Sequence, residues 1–240
     1  FMALYLIGLG LNMKSITREG REAIDRCKQV YLENYTVDFP YKMGPFKEII
    51  GKKFEEIGRE KVESLELVDE AKKKDVALLV YGSPLTATTH ITLIAEAKRM
   101  HVKCKVMLNA SIFDAVALTG LQLYKFGKVA SMPAWKKSYT PDSFMDIVKQ
   151  NMSMLAHSLI LIDIGLDFRE ALKQLEISAK NHDVKLRDLI VCQGMGTKNA
   201  RVFYKDISEL KELREVKKPY CLIIPSKMHF AEKEVLESFD

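Results

Sequence analysis

Two kinds of apolar pattern alternate along the first half of the chain. Residues 3–7 and 76–81 are short runs in which every position is apolar. Continuous runs of this length are typical of strands buried on both faces, as in a parallel sheet. Between them, apolar residues recur at helical spacing, and Thr17 stands where it can cap such a helix. The alternation predicts a mostly parallel α/β sheet covered by helices.

The same pattern recurs along the rest of the chain. Further strands are predicted at residues 30–33, 103–108, 129–132, 159–164, 189–192 and 221–224. Helices are predicted over the charged segment 59–74, after Thr88 or Thr89, from Pro141, and after Asp167. The Tyr124-Lys125-Phe126-Gly127 stretch is interpreted as a crossing between lobes. We therefore expect an N-terminal α/β lobe at 1–124 and a C-terminal α/β lobe at 125–240.

Composition and charge narrow the functional classes. The 240 residues are 48% hydrophobic and 29% charged, which is ordinary for a globular protein and excludes a disordered chain. The net charge of +5 is mild and spread along the sequence, and its short lysine runs are interpreted as solvated faces, so we expect no direct nucleic-acid binding. The apolar runs are far shorter than the roughly 18 residues that a membrane span needs, so no membrane association is expected.

Cysteine and histidine spacing speaks against a metal site. The cysteines at 27, 104, 192 and 221 form no CxxC pair, which suits buried thiols in a reducing compartment without disulfides or zinc. The histidines show no HxxxH or HExxH spacing. His229 follows a predicted buried strand in a turn that can face a cleft, although a capping or surface histidine is nearly as well supported.

Three junctions between a strand and a turn have the same form. They are Leu9-Gly10-Leu11, Gly82-Ser83-Pro84-Leu85 and Asn109-Ala110-Ser111-Ile112. Ligands bind outside the carboxyl ends of strands in open parallel sheets, so these junctions predict a small-molecule site. Met13 stands where a dinucleotide fingerprint requires glycine. Tight turns that any parallel sheet needs explain the glycines equally well.

The residues at these junctions resemble the diphthine synthase family, in the tetrapyrrole-methylase-like class of S-adenosylmethionine methyltransferases. The resemblance is carried by Leu4-Tyr5-Leu6-Ile7-Gly8-Leu9-Gly10-Leu11, Pro84-Leu85-Thr86-Ala87-Thr88-Thr89-His90, Asn109-Ala110-Ser111-Ile112 and Gly120-Leu121-Gln122-Leu123-Tyr124-Lys125-Phe126-Gly127. It spans nearly the whole chain and weakens between residues 165 and 216.

The resemblance implies a two-lobed fold, with a mostly parallel sheet in the N-terminal lobe, a mixed sheet in the C-terminal lobe and the cofactor cleft between them. It further implies a cytoplasmic homodimer that uses S-adenosyl-L-methionine, releases S-adenosyl-L-homocysteine, and methylates the 3-amino-3-carboxypropyl-modified histidine of translation elongation factor 2. Archaeal members make the trimethylammonium product, and eukaryotic members add a further methyl to the carboxylate. The resemblance does not choose between the two products.

The resemblance also implies positions for the cofactor contacts. By position these are Leu11, Ser83, Thr86, Ser111, Ile112, Ile162, Met195 and His229. The chain departs from the family at two places: Ser83 stands where the family has aspartate, and Ser226 where it has glycine. A serine keeps a hydrogen bond but loses the charge that would attract a cationic cofactor.

No catalytic side chain is assigned, because transfer from an activated sulfonium requires alignment and desolvation more than a nucleophile. Two alternatives stay open. One is a methyltransferase of the same fold that acts on a tetrapyrrole or ribosomal RNA. The other is a non-catalytic module that binds the elongation factor, motivated by the missing aspartate at position 83.

Overall fold

The computed structural model describes residues 2–239, which form two compact units that divide after Phe113. The first unit contains one five-stranded sheet in the order β3-β2-β4-β1-β5, and every strand pair in it is parallel. Its strands are β1 (Ala3–Gly8), β2 (Gln29–Glu33), β3 (Glu55–Ile57), β4 (Val76–Val80) and β5 (Lys103–Met107). Its helices are α1 (Arg18–Arg26), α2 (Met43–Ile50), α3 (Arg59–Glu63), α4 (Glu66–Ala71) and α5 (Ile91–Arg99), and α6 (Ile112–Ala115) spans the division.

The environment of β1 on both faces of the sheet explains why its sequence is apolar throughout. Tyr5 and Ile7 belong to the hydrophobic cluster on one face of the sheet, and Leu4 and Leu6 to the cluster on the other face. Successive side chains of a strand point to opposite faces, so both faces of β1 must be apolar when helices cover both. The predicted parallel sheet is confirmed.

The second unit contains a mixed five-stranded sheet in the order β6-β7-β10-β8-β9. Strands β6 and β7 are parallel, whereas β10 is antiparallel to both β7 and β8, and β8 is antiparallel to β9. The strands are β6 (Ala130–Met132), β7 (Ser158–Ile162), β8 (Asp188–Gln193), β9 (Arg201–Asp206) and β10 (Tyr220–Ile224). The helices are α7 (Phe144–Ser153), α8 (Phe168–Asn181), α9 (Ile207–Lys211) and α10 (Phe230–Leu236), with short 3₁₀ helices at Val116–Thr119 and Leu123–Lys125. The mixed sheet confirms the expectation for the C-terminal half.

Two predicted helix starts are confirmed. The Thr17 hydroxyl accepts the N–H of Gly20 at 3.0 Å, and the Asp167 carboxylate accepts the N–H of Arg169 at 2.9 Å. Each side chain satisfies a backbone donor that the first turn of a helix leaves unpaired.

Other predicted helix boundaries were wrong. Helix α5 begins after His90 without a side-chain cap, because the Thr88 hydroxyl donates to the Pro84 carbonyl oxygen instead. The helix expected from Pro141 begins at Phe144. The charged segment 59–74 is two helices rather than one, separated at Leu65, whose φ of 64° is left-handed. A left-handed residue cannot continue an α-helix.

The division between the units falls after Phe113 rather than after residue 124. The intervening segment packs into the second unit through α10. The N–H of Gln122 donates to Glu232 Oε1 at 2.9 Å, and a Cβ at Gly120 would lie only 2.5 Å from Val235 Cγ1. These contacts bring the segment into the second unit. None of the helices within residues 2–239 has the length and apolar character needed to cross a membrane.

Candidate functional site

The site begins at three neighbouring strand ends of the first unit. Strands β4, β1 and β5 are adjacent and parallel, so their carboxyl ends lie at one edge of the sheet. We name the segments that follow them the strand-end loops: 9–11 after β1, 82–86 after β4, and 109–112 after β5. Gly10 and Gly82 exchange two backbone hydrogen bonds of 3.0 Å, which join the first loop to the second.

Gly8 and Asn109 bring the third loop into the same group. The Asn109 amide donates to the Gly8 carbonyl oxygen at 3.0 Å and to the Ser15 carbonyl oxygen at 2.9 Å. A Cβ at Gly8 would lie 2.7 Å from the Gly82 carbonyl oxygen and 2.9 Å from the Asn109 Cβ. Only glycine lets the backbones approach this closely. The three loops therefore converge, as the sequence predicts.

The predicted residues of the first unit occupy this convergence. Leu11, Ser83 and Ser111 are buried, with 7%, 7% and 5% of their surfaces exposed. Thr86 and Ile112 are half-buried. A Cβ on Gly82 would lie 3.7 Å from the Ser111 Cα, so the second and third loops are in direct contact.

Backbone and side-chain bonds fix the loops in place. The Tyr81 hydroxyl donates to the Leu11 carbonyl oxygen at 2.9 Å, and burial raises the pKa of Tyr81 well above its usual range, so the hydroxyl stays protonated. The Ser111 hydroxyl accepts the Phe113 N–H at 3.2 Å. Thr86 N–H donates to the Ser83 carbonyl oxygen at 3.2 Å, which closes a turn. The loops are held by the first unit itself.

The chemistry of these loops is neutral. They present apolar side chains beside hydroxyl and backbone groups, and no carboxylate is among their residues. Apolar surface with a few placed polar groups is the usual lining of a small-molecule site. Within residues 2–239 no group of three or more histidine, cysteine or acidic side chains is placed to hold a metal ion.

The predicted residues of the second unit do not all lie together. Ile162 ends β7 and Met195 follows β8, and both strands are antiparallel to β10, so these two residues lie at the same end of the sheet. His229 follows β10 and therefore lies at the opposite end. Five strand residues separate the two ends, which is roughly 17 Å at the usual rise per residue. The second sheet does not bring His229 to Ile162 and Met195.

His229 caps a helix instead. It is the N-cap of α10, its ring nitrogen lies 3.4 Å from the Ala231 N–H, and its own N–H donates to Glu232 Oε2 at 2.6 Å. The capping alternative raised by the sequence therefore describes its contacts. A capping box of this kind is usually formed by serine or threonine. With histidine in that place, the motif is not recognised in the sequence.

A buried ionic cluster behind His229 was missed by sequence reasoning. Glu232 is 1% exposed, makes an ion pair with the Lys125 ammonium, and lies 3.3 Å from Nε2 of the fully buried His157. Burial alone would raise the pKa of Glu232, but the bonds from Gln122, Lys125, His229 and His157 together lower it to about 2. The cluster joins segments far apart in the chain, so no local pattern reveals it.

One known protein family matches most of the chain. Residues 3–211 match the family model described as tetrapyrrole (corrin/porphyrin) methylases. The chain belongs to this family. A tetrapyrrole methylase is a methyltransferase, and the converging loops of the first unit are its candidate site for the methyl donor.

Named relatives of this chain are diphthine synthases. It is 32% identical to the diphthine synthase of Methanocaldococcus jannaschii over 98% of this chain and 97% of the relative. It is 43% identical to the human diphthine methyl ester synthase, over 67% of this chain and 58% of the human protein. A crystal structure of diphthine synthase superimposes with a TM-score of 0.90 and 31% identity, covering 99% of this chain and 95% of that one. The chain therefore belongs to the diphthine synthase group of this family.

Proposed function

We propose that the chain transfers methyl groups from S-adenosylmethionine to the amino group of the 3-amino-3-carboxypropyl-modified histidine of elongation factor 2. The product is diphthine, in the biosynthesis of diphthamide. The observation that carries this proposal is the similarity to a diphthine synthase over 98% of the chain, rather than over one domain.

The strand-end loops fit a nucleoside donor. Leu11 and Ile112 offer apolar surface for the adenosine, and the hydroxyls of Ser83, Thr86 and Ser111 offer hydrogen bonds for its polar groups. We propose these residues as donor contacts, with Ile162 and Met195 as further contacts from the second unit. We also propose His229 as a donor contact, from the other end of the second sheet.

When bound, S-adenosylmethionine supplies a methyl group on a positively charged sulfur. The residues of this chain then have to orient the acceptor amine and exclude water, which needs no covalent nucleophile. Neutral hydroxyls suit the binding of the donor. They hold it by hydrogen bonds without stabilising its positive charge more than they stabilise the transition state.

We further propose that the enzyme acts as a homodimer in the cytoplasm, without contacting nucleic acid. A translation factor as substrate supports the compartment. A reducing compartment also suits cysteines that form no disulfide, which are Cys27, Cys104, Cys192 and Cys221.

The test is incubation of the wild-type chain and S-adenosylmethionine with elongation factor 2 that carries the unmethylated aminocarboxypropyl histidine. Intact mass should increase by whole methyl groups, and the increment distinguishes diphthine from its methyl ester. Elongation factor with an unmodified histidine is the matched control and should gain no mass. No methylation of the modified factor, together with methylation of a tetrapyrrole or ribosomal RNA, would favour the alternative substrates of the same fold.

A further inference from the structure

A series of hydrogen bonds between side chains and backbone groups connects the end of β2 to the second strand-end loop. His90 is fully buried, and its Nδ1 lies 2.9 Å from the Pro84 carbonyl oxygen. Its Nε2 lies 3.3 Å from the hydroxyl oxygen of Tyr35. Pro84 follows Ser83 directly, so His90 holds the backbone of the loop in which Ser83 lies.

The partners of His90 determine where its proton resides. A carbonyl oxygen can only accept, so Nδ1 must carry the hydrogen that points at Pro84. Burial lowers the pKa of His90 despite the bond to Pro84, so the ring is neutral and Nε2 is an acceptor. The Tyr35 hydroxyl therefore donates to Nε2. Without that hydroxyl, Nε2 would be a buried acceptor with no partner, and the ring would be held by its bond to Pro84 alone.

Tyr35 is itself held in place from the other side. Glu33, the last residue of β2, is fully buried, and burial raises the pKa of its carboxyl group. The carboxyl group lies 3.4 Å from the Tyr35 N–H and accepts the Thr36 hydroxyl. The rings of Tyr35 and His90 also meet edge to face, with centroids 6.3 Å apart. Tyr35 thus approaches His90 in one defined orientation.

The Pro84 carbonyl oxygen is the acceptor at the loop end of these hydrogen bonds. It accepts the Thr88 hydroxyl at 2.7 Å in addition to His90. The turn that contains Pro84 is closed by the bond from Thr86 N–H to the Ser83 carbonyl oxygen. The orientation of Ser83 and Thr86 therefore depends on how firmly Pro84 is held.

We propose that Tyr35 and His90 are positioning residues for the methyl donor: they fix the backbone at Pro84 and so set the affinity for the donor without touching it. This inference rests on the proposed function, in which Ser83 and Thr86 contact S-adenosylmethionine.

Tyr35→Phe removes the hydroxyl and keeps the ring. Loss of one neutral hydrogen bond that orders the loop should raise the Kd for S-adenosylhomocysteine about threefold to tenfold. The KM for S-adenosylmethionine should rise by the same factor. The kcat at saturating donor and the KM for the elongation factor should stay at the wild-type values.

Tyr31→Phe is the matched control, in the strand that ends two residues before Tyr35. Tyr31 is buried, and its hydroxyl donates to Glu70 Oε1 at 2.8 Å, away from the strand-end loops. Its loss should lower the melting temperature and leave donor affinity unchanged. Equal donor affinity in Tyr35→Phe and Tyr31→Phe would overturn the inference.

Substitutions of His90 separate positioning from packing. Asparagine can place an amide donor near the position of Nδ1, so His90→Asn should stay within about threefold of the wild-type Kd, whereas His90→Leu should weaken binding about tenfold or more. A merely structural role would give the reverse order, because leucine fills the buried space better than asparagine.

Nitrogen NMR of His90 gives a readout that does not depend on the donor. The inference predicts the Nδ1–H tautomer in the wild type, and a changed Nε2 chemical shift with the same tautomer in Tyr35→Phe, because Nε2 loses its hydrogen-bond donor. An Nε2–H tautomer in the wild type would overturn it. If the wild type binds no S-adenosylhomocysteine at all, both the proposed function and this inference fail. If the wild type binds while Tyr35→Phe and His90→Leu bind equally well, only the inference fails.

Discussion

Gly8→Ala tests whether the three strand-end loops depend on close backbone approach. The added Cβ would lie 2.7 Å from the Gly82 carbonyl oxygen, where ordinary contact begins at about 3.4 Å, so β1 and the second loop would have to separate by about 0.7 Å. The strand is buried on both faces and offers no space for the shift. Overpacking of this kind costs ~1–3 kcal/mol. Stretching one of the Gly10 to Gly82 hydrogen bonds adds about 1 kcal/mol.

The assay combines thermal unfolding with calorimetric titration of S-adenosylhomocysteine. A loss of about 2–4 kcal/mol should lower the melting temperature by several degrees for a chain of this length. Donor affinity should fall as well, because the second loop moves away from β1. Gly58→Ala is the matched control: its φ of −90° is open to alanine and nothing lies within 4 Å of the added Cβ, so its stability should stay within about 1 kcal/mol of the wild type and its donor affinity should not change. Unchanged melting and unchanged donor affinity in Gly8→Ala would refute the reasoning.

Three further predictions follow from single side chains. Ser83→Asp should tighten S-adenosylmethionine binding, because it restores a carboxylate for the cationic donor, and calorimetry showing equal or weaker affinity would contradict this. Ser111→Ala should raise the KM for the donor and leave kcat at saturation unchanged, whereas steady-state kinetics with a lower kcat and an unchanged KM would assign the hydroxyl a chemical role. The pKa of Glu232 is lowered from 4.5 to about 2, so its contribution to stability is complete above pH 4.5 and disappears as the pH falls towards 2. Urea unfolding across this range should therefore show a wild-type loss that exceeds the loss in Glu232→Gln by about 3 kcal/mol, and parallel curves would exclude the pairing.

The buried parallel strands could be predicted because their environment leaves a simple signature. Val76–Val80 is apolar at every position since both of its faces are covered, and the same holds for β1. Two of the edge strands, β3 and β9, leave no such signature. Strand β3 is mostly exposed, and β9 mixes arginine, lysine and aspartate with its apolar residues. Charged residues protect a sheet edge from pairing with another chain, and they also hide the strand from a hydrophobicity pattern.

The first half of the candidate site was predictable, and part of the second half was not. Parallel strands bring their carboxyl ends to one edge, so the convergence of Leu11, Ser83 and Ser111 follows once the strands are identified. In a mixed sheet the direction of each strand decides which ends meet, and a sequence pattern carries no direction. The antiparallel pairing of β10 with β7 therefore leaves His229 at the far end from Ile162.

The methyl-donor site of the first unit is the central claim, and a crystal structure of the wild-type chain with S-adenosylhomocysteine tests it most directly. The account predicts electron density for the nucleoside against Leu11, Ser83 and Ser111 at the carboxyl ends of β1, β4 and β5. Density bound elsewhere on the protein, with these three residues uncontacted, would contradict it.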